Sequence, residues 1–362
     1  MGGLMSDLKK TPLYDVCLKA GGRMVDFHGW LLPVQYESII AEHKAVRNEA
    51  GLFDVSHMGQ IIFKGEDAFK LLQNVATNNF KQEIGAGAYA HILDDNGGII
   101  DDIIAFYLAP DEMFLVVNSA TRYKDYNWFV KKSAGYKVEV KDVSDNYAML
   151  ALQGPKALDI LEKLIPQIKE IARFHIKQDK IFDKNVYITR TGYTGEDGVE
   201  IMGGAETINK LFTWCLDNGF TPCGLGARDV LRLEAGYLLS GSDMDETRNP
   251  YEASCGWVVK LKKEEDFTAK SKMTAVKEAG VKEKWTGFIL QGAGVAREGC
   301  LIYKDGKQIG KLTSATFSPL FKGICAGYAP ADLEEGAIVE IEVRGRKIPA
   351  KKIKMPFYKN RV

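Results

Sequence analysis

The chain has 362 residues, room for two to three domains at about 150 residues each. Its 46% apolar and 27% charged residues are the balance of a soluble globular protein, and no apolar run approaches the roughly 18 residues that a membrane helix needs. Lys plus Arg and Asp plus Glu both number 48, so the net basic charge usual in proteins that grip nucleic acid is missing.

Helical apolar spacing covers 67–76, and a polar turn at Asn78-Asn79 follows it. A hairpin comes next, with strands at 89–93 and 99–108 joined by the turn Asp94–Gly98, whose glycines permit positive backbone angles. Residues 113–118 read as a strand, 123–133 as a helix, and 136–143 and 147–152 as strands. Gly154-Pro155 opens a helix expected to run to Leu164. A strand at 185–191, a helix at 207–216, a turn at 222–226 and a strongly periodic helix at 227–239 complete this part. Charged residues concentrate between Lys262 and Lys284, beyond which short β runs suggest a small barrel or jelly roll. Hairpin-linked strands with helices among them predict an α+β fold of antiparallel sheets.

The N-terminal MGGLMSDLKK has no hydrophobic core of a secretory signal. The six cysteines are scattered without a C-x-x-C pair, which argues against structural zinc and a disulfide framework. A cytoplasmic protein with free thiols is expected. There is no H-E-x-x-H, P-loop or G-x-S-x-G motif, and Gly224-Leu225-Gly226 lacks the third glycine of a dinucleotide fingerprint. Neither a metal site nor a nucleotide cofactor is expected.

Three segments could carry chemistry. In IIDDIIAFYL, Asp101 and Asp102 point to opposite faces of a strand, and burying a carboxylate is costly unless it has a partner or a task. Asn118 is a candidate neighbour. RTGYTGEDGVE combines Tyr193, Glu196, Asp197 and Glu200 with three glycines. There backbone can approach a ligand and a carboxylate can meet a flat N–H pair, although an acidic surface turn reads the same way. Arg228 and Arg232 share a helix face, as anion ligands or as partners of nearby acids. Ser56-His57 shows no orienting acid, so no catalytic dyad is expected.

Together these segments resemble the T-protein family of the glycine cleavage system. The resemblance rests on MVDFHGW (24–30), GLFDVSHMG (51–59), NGGIIDD (96–102), QGPKA (153–157) and RTGYTGEDGVE (190–200). GLGARDVLRLEAGYLLSGSDMDE (224–246), NPYEASCGWVVKL (249–261) and TSATFSPLFKGICAGY (313–328) extend it over nearly the whole chain. The resemblance implies a three-domain cloverleaf: residues 1–275 as a folate-binding region of two interwoven subdomains, and 276–362 as a C-terminal β-barrel domain.

The implied activity is tetrahydrofolate-dependent aminomethyl transfer from lipoyl H-protein, with functional links to the decarboxylating P-protein and the dihydrolipoyl dehydrogenase L-protein. By the same resemblance Asp102 is the catalytic carboxylate and Glu200 the pterin ligand. Tyr89, Asn118, Tyr193, Arg228 and Tyr237 fall on further folate positions, Met58 and Ile62 form an apolar wall, and Arg361 supplies a basic contact. The chain departs from the family pattern at Arg173-Phe174, where some relatives carry tyrosines. Alternatives are a folate-dependent demethylase of a methylated amine or sulfonium and a non-catalytic folate-binding protein. The K-G-C-Y-type signature of the latter is absent at Gly299-Cys300-Leu301. The tail beyond Glu342 carries only basic charges, a surface expected to dock the acidic H-protein.

Overall fold

A computed structural model describes residues 8–359. Two sheets face each other. The first has five antiparallel strands in the order Gly87–Leu93, Ile99–Ala109, Glu112–Val117, Gly59–Lys64 and Glu139–Asp142. The second has six, in the order Ile176–Ile181, Lys184–Thr189, Gly198–Gly203, Ala148–Gln153, Gly51–Asp54 and Thr221–Pro222. The strand Gly51–Asp54 is thus inserted between Ala148–Gln153 and Thr221–Pro222, both far later in the chain, so the two sheets are threaded through one another.

Alternation along the strands gives each sheet two apolar faces. Phe53, Met149, Ala151 and Met202 of the second sheet pack between the sheets on Phe106, Phe114 and Val116 of the first. The outer face of the first is covered by helices Ala68–Val75 and Arg122–Lys132, which bury Leu71, Leu72 and Phe129. The outer face of the second is covered by Ala157–Leu161 and Ala205–Asp217, which bury Leu161, Leu211 and Phe212. Six C-terminal strands between Glu283 and Ile353 close into a barrel filled by Phe288, Ile302, Leu312, Val339 and Ile341. Among the described residues no helix is long and apolar enough to cross a membrane.

Two local features position the site. The Asp94–Gly98 turn forms because the Asp94 carboxylate accepts from the backbone of Asn96 and Gly98. A Cβ on Gly98 would lie 2.0 Å from the Glu246 carbonyl oxygen, so this glycine lets the 240s loop seat on the hairpin. The second feature differs from the sequence reading. The helix expected over 227–239 spans Leu225–Glu234, because Gly236 at φ +75° ends it. The amides of Gly236 and Tyr237 return to the carbonyls of Leu233 and Arg232, a Schellman cap that turns residues 235–239 across the gap between the sheets. Two more boundaries shift: the helix after Pro155 stops at Leu161, and the charge-rich stretch before the barrel forms a helix, Lys270–Ala279.

Candidate functional site: a carboxylate at the wall of an inter-sheet cavity

Asp101 and Asp102 part to opposite sides of their strand. In the ladder Ile104 stands opposite both Tyr89 and Val116, and one step further along the same face are Asp102 and, just past the strand end, Asn118. These five side chains form one wall of a cavity of about 340 Å³. The facing wall is Glu200, held between Ala151 and Thr189 in the second sheet, with Tyr193 from the loop before it. Arg228 and the 235–239 segment roof the space, and Cys255 and Trp257 close its far side.

Asp102 Oδ1 accepts from Asn118 Nδ2 at 2.9 Å, and Tyr89 adds a side-chain hydrogen bond. Asp101, completely buried, is the anchor behind. It accepts from Asn118 Nδ2 at 2.9 Å, from the Asn118 amide at 3.1 Å and from Ser240 Oγ at 2.7 Å. Asn118 therefore bridges both carboxylates. Burial first, and then the charge of Asp101, push the Asp102 carboxyl up to about 8, while Asn118 and Tyr89 pull the other way. Asp125 stands behind Asp101, and burial followed by that same charge pushes its carboxyl well up.

On the facing wall Glu200 Oε2 accepts from Thr191 Oγ1 at 2.6 Å. Burial raises its pKa, opposed by Thr191 and Arg228. Flat surfaces line the space between. Tyr89 stacks on Trp257 at 5.7 Å, Tyr193 on Tyr237 at 5.6 Å, and the Arg228 guanidinium lies 4.6 Å over Tyr193. The Tyr193 hydroxyl donates to the Leu238 carbonyl, which fixes its ring. The cavity thus offers aromatic faces, a paired acceptor on one wall and a proton-exchanging carboxylate on the other.

Eight of the expected site residues, Met58, Tyr89, Asp102, Asn118, Tyr193, Glu200, Arg228 and Tyr237, meet at this cavity. Ile62 does not line it: its strand register sets it opposite Phe114, two residues beyond Val116, and it packs into the inter-sheet cluster. Arg361 lies outside the described residues. The two arginines divide the roles left open for them. Arg232 is structural, paired with Asp243 at 2.5 Å and Asp229 at 2.8 Å. Ser56 and His57 form no dyad: Ser56 is tied to the Met149 backbone, and His57, with its pKa pushed to about 3 chiefly by burial, packs edge-on to Phe27.

Among the lining residues outside the expected set, two aromatic side chains and a cysteine stand out. Trp257 is 59% exposed, an unusual state for its type, and stands inside the NPYEASCGWVVKL stretch. Cys255, two residues before it, gave no signal of its own. Phe174 reaches the cavity from a left-handed backbone, φ +56°, at the position noted as departing from relatives.

Residues 13–263 match the family model described as the GCVT N-terminal domain, and 284–359 the one described as the glycine cleavage T-protein C-terminal barrel domain. Aminomethyltransferases from Halothermothrix orenii and Picosynechococcus sp. are 44% and 40% identical, each over 97% of this chain and 100% and 98% of their own. The crystal structure of glycine cleavage system aminomethyltransferase T from Bartonella henselae superposes with a TM-score of 0.92 at 32% identity, covering 97% of this chain and 98% of that one. Fold and matches together define an enzyme of the transferase class. The chain belongs to the glycine cleavage T-protein family.

Proposed function

We propose that this chain, an aminomethyltransferase by family, takes the aminomethyl group from the lipoyl arm of H-protein and passes its carbon to tetrahydrofolate in the inter-sheet cavity. The balance is redox-neutral. The carbon's bonds to sulfur and to the amine nitrogen break and two bonds to folate nitrogens form. The two protons leaving those nitrogens go to ammonia and to the dihydrolipoyl thiol. The observation that carries this reading is the placement of Asp102: a half-buried, titratable carboxylate held by Asn118 and Tyr89, across the cavity from Glu200.

The lining suits a pteridine in three respects. Glu200 offers acceptor oxygens for an amino-pyrimidinone edge, the tyrosines offer stacking faces, and Met58 an apolar contact. In the proposed mechanism Glu200 sets the ring's orientation, and Tyr193, Tyr237 and Arg228 hold its plane. Asp102 stabilises the positive charge that develops as the aminomethyl carbon loses its nitrogen, and moves a proton between folate nitrogen and leaving group. A cation arriving beside Asp102 favours its ionised form, so a carboxyl protonated in the empty site gives up its proton when the substrate needs one.

We assign residues 1–275 to the folate-binding region and 276–362 to the barrel domain, in line with the family-model matches at 13–263 and 284–359. The proposed setting is cytoplasmic, with H-protein as direct partner, P-protein and L-protein as functional ones, and no part for nucleic acid or membrane. The test is to mix the protein with tetrahydrofolate and aminomethyl-lipoylated H-protein and follow ammonia and methylenetetrahydrofolate together. Equal, folate-dependent yields are expected. Folate binding without either product would reject aminomethyl transfer and direct attention to methylated amines or sulfoniums.

A further inference from the structure

Behind Tyr89 the same strand face carries a second polar side chain that the mechanism above leaves unused. His91 is completely buried and stands in the ladder opposite Asp102. Its ring meets Tyr89 edge-on, with centroids 5.5 Å apart and planes at 72°. Nε2 lies 3.1 Å from the Tyr89 hydroxyl, whereas Nδ1 has no hydrogen-bond partner among the described residues.

Burial pushes the His91 pKa down to about 3, so the ring is neutral and carries one proton. A proton on Nδ1 would leave a buried N–H with no acceptor, a rarer and costlier orphan than an unused lone pair. The proton therefore sits on Nε2 and is donated to the Tyr89 oxygen. A phenol has a single proton of its own. With its oxygen already receiving one, Tyr89 directs its O–H outward, where its side-chain partner is Asp102. The other titratable groups around Tyr89 are Cys255 and Tyr193, Asp101 flanks Asp102 on the far side, and burial alone acts on the titration of His91.

We infer that His91 is a positioning residue for the transfer reaction: its Nε2–H, donated to the Tyr89 oxygen, aims the phenol proton at the Asp102 carboxylate. The inference rests on the reading of Asp102 as the reacting group. Donors in series polarise one another, so the chain His91–Tyr89–Asp102 favours the ionised carboxylate more than a freely rotating tyrosine would. Losing His91 should let the Asp102 pKa rise.

The first measurement is nitrogen NMR on the isotopically labelled full chain without folate, which reads the His91 tautomer directly and independently of turnover. A proton on Nε2 is expected; a proton on Nδ1 overturns the inference, because Tyr89 would then have to donate to His91. The second is kinetic. His91→Leu should lower kcat about three- to tenfold, up to one pKa unit of carboxylate stabilisation, leave KM for folate within about twofold, and move the acid limb of the pH profile upward. His91→Gln, whose terminal amide can donate from a similar position, should restore most of the rate. In a Tyr89→Phe background His91→Leu should cost nothing further. Wild-type turnover in His91→Leu, or an equal loss in the Phe background, overturns the inference. Failure of the underlying reading has a separate signature, full turnover in Asp102→Asn whatever the tautomer.

Discussion

The neighbouring aspartates make the sharpest test, because the strand gives them different tasks one residue apart. Asp102→Asn keeps the shape, and an amide oxygen can still accept from Asn118 Nδ2, now at 2.9 Å from Asp102. It removes the charge and the exchangeable proton. Positioned acid–base groups contribute about 10²- to 10⁴-fold, or roughly 3–5 kcal/mol of barrier, so turnover should fall by that factor with folate affinity nearly unchanged. Asp101→Asn behaves otherwise. Asp101 accepts three hydrogen bonds, two from Asn118 and one from Ser240, and an amide there turns an NH₂ toward one of those donors. The expected loss is stability, about 1–3 kcal/mol for a buried mismatched group. The same change removes the negative charge that helps raise the Asp102 pKa. Activity that needs ionised Asp102 is lost as pH falls through that pKa. In Asp101→Asn the pKa is lower, so the acid limb of kcat/KM should move down by about one unit while the plateau stays within tenfold of wild type. Steady-state rates from pH 5 to 9, beside thermal melts, separate the cases. A dead Asp101→Asn with an active Asp102→Asn would reverse the roles, and an unmoved acid limb would show that Asp101 does not tune its neighbour.

Glu200→Gln should weaken folate binding about tenfold or more by calorimetry. Because burial raises the Glu200 pKa, wild-type affinity should fall on acidification sooner than an exposed glutamate would dictate; the glutamine variant should lose that dependence, and persistence of it would place the titrating group elsewhere. Arg232→Met breaks a buried pair with Asp243 and should cost about 3–5 kcal/mol of stability with folate affinity intact, whereas Arg228→Met should weaken folate with little change in melting; the opposite pattern would exchange their roles. Lys351 is exposed while the Lys352 ammonium donates to the Leu333 carbonyl, so Lys351→Glu alone tests docking cleanly. The KM for H-protein should rise several-fold at low salt and recover at high salt, and a salt-independent KM would move the docking face off the barrel.

The hairpin around Asp94–Gly98 was legible because its causes are local, an acceptor side chain at the turn and a period of two on either side. The opposed fates of Asp101 and Asp102 followed from that period, although which of them reached the cavity came from the family motif. The helix end at Glu234 was also encoded locally, by Gly236, but apolar periodicity carried the reading past it. Trp257 and Phe174 could not be read from spacing, since their place at the cavity depends on a 3₁₀ turn and a left-handed residue that long-range packing fixes. Ile62 failed for the converse reason. Its apolar character was right for either face of the inter-sheet space, and only the pairing with Phe114 decides which end it occupies.

The adjacency of the two aspartates has a physical consequence beyond register. A lone carboxylate in this apolar strand would be raised by burial and have little to fix its direction. Asp101, on the opposite face, holds Asn118 by two hydrogen bonds and so aims the amide that reaches Asp102. Its charge raises the pKa of Asp102 through the same strand. One residue therefore supplies orientation and tuning from a completely buried position, leaving the cavity face of Asp102 clear for substrate. Asp125 stands behind it, and burial and then the charge of Asp101 push its carboxyl well up, so the strand face away from the cavity disfavours a second charge beside Asp101.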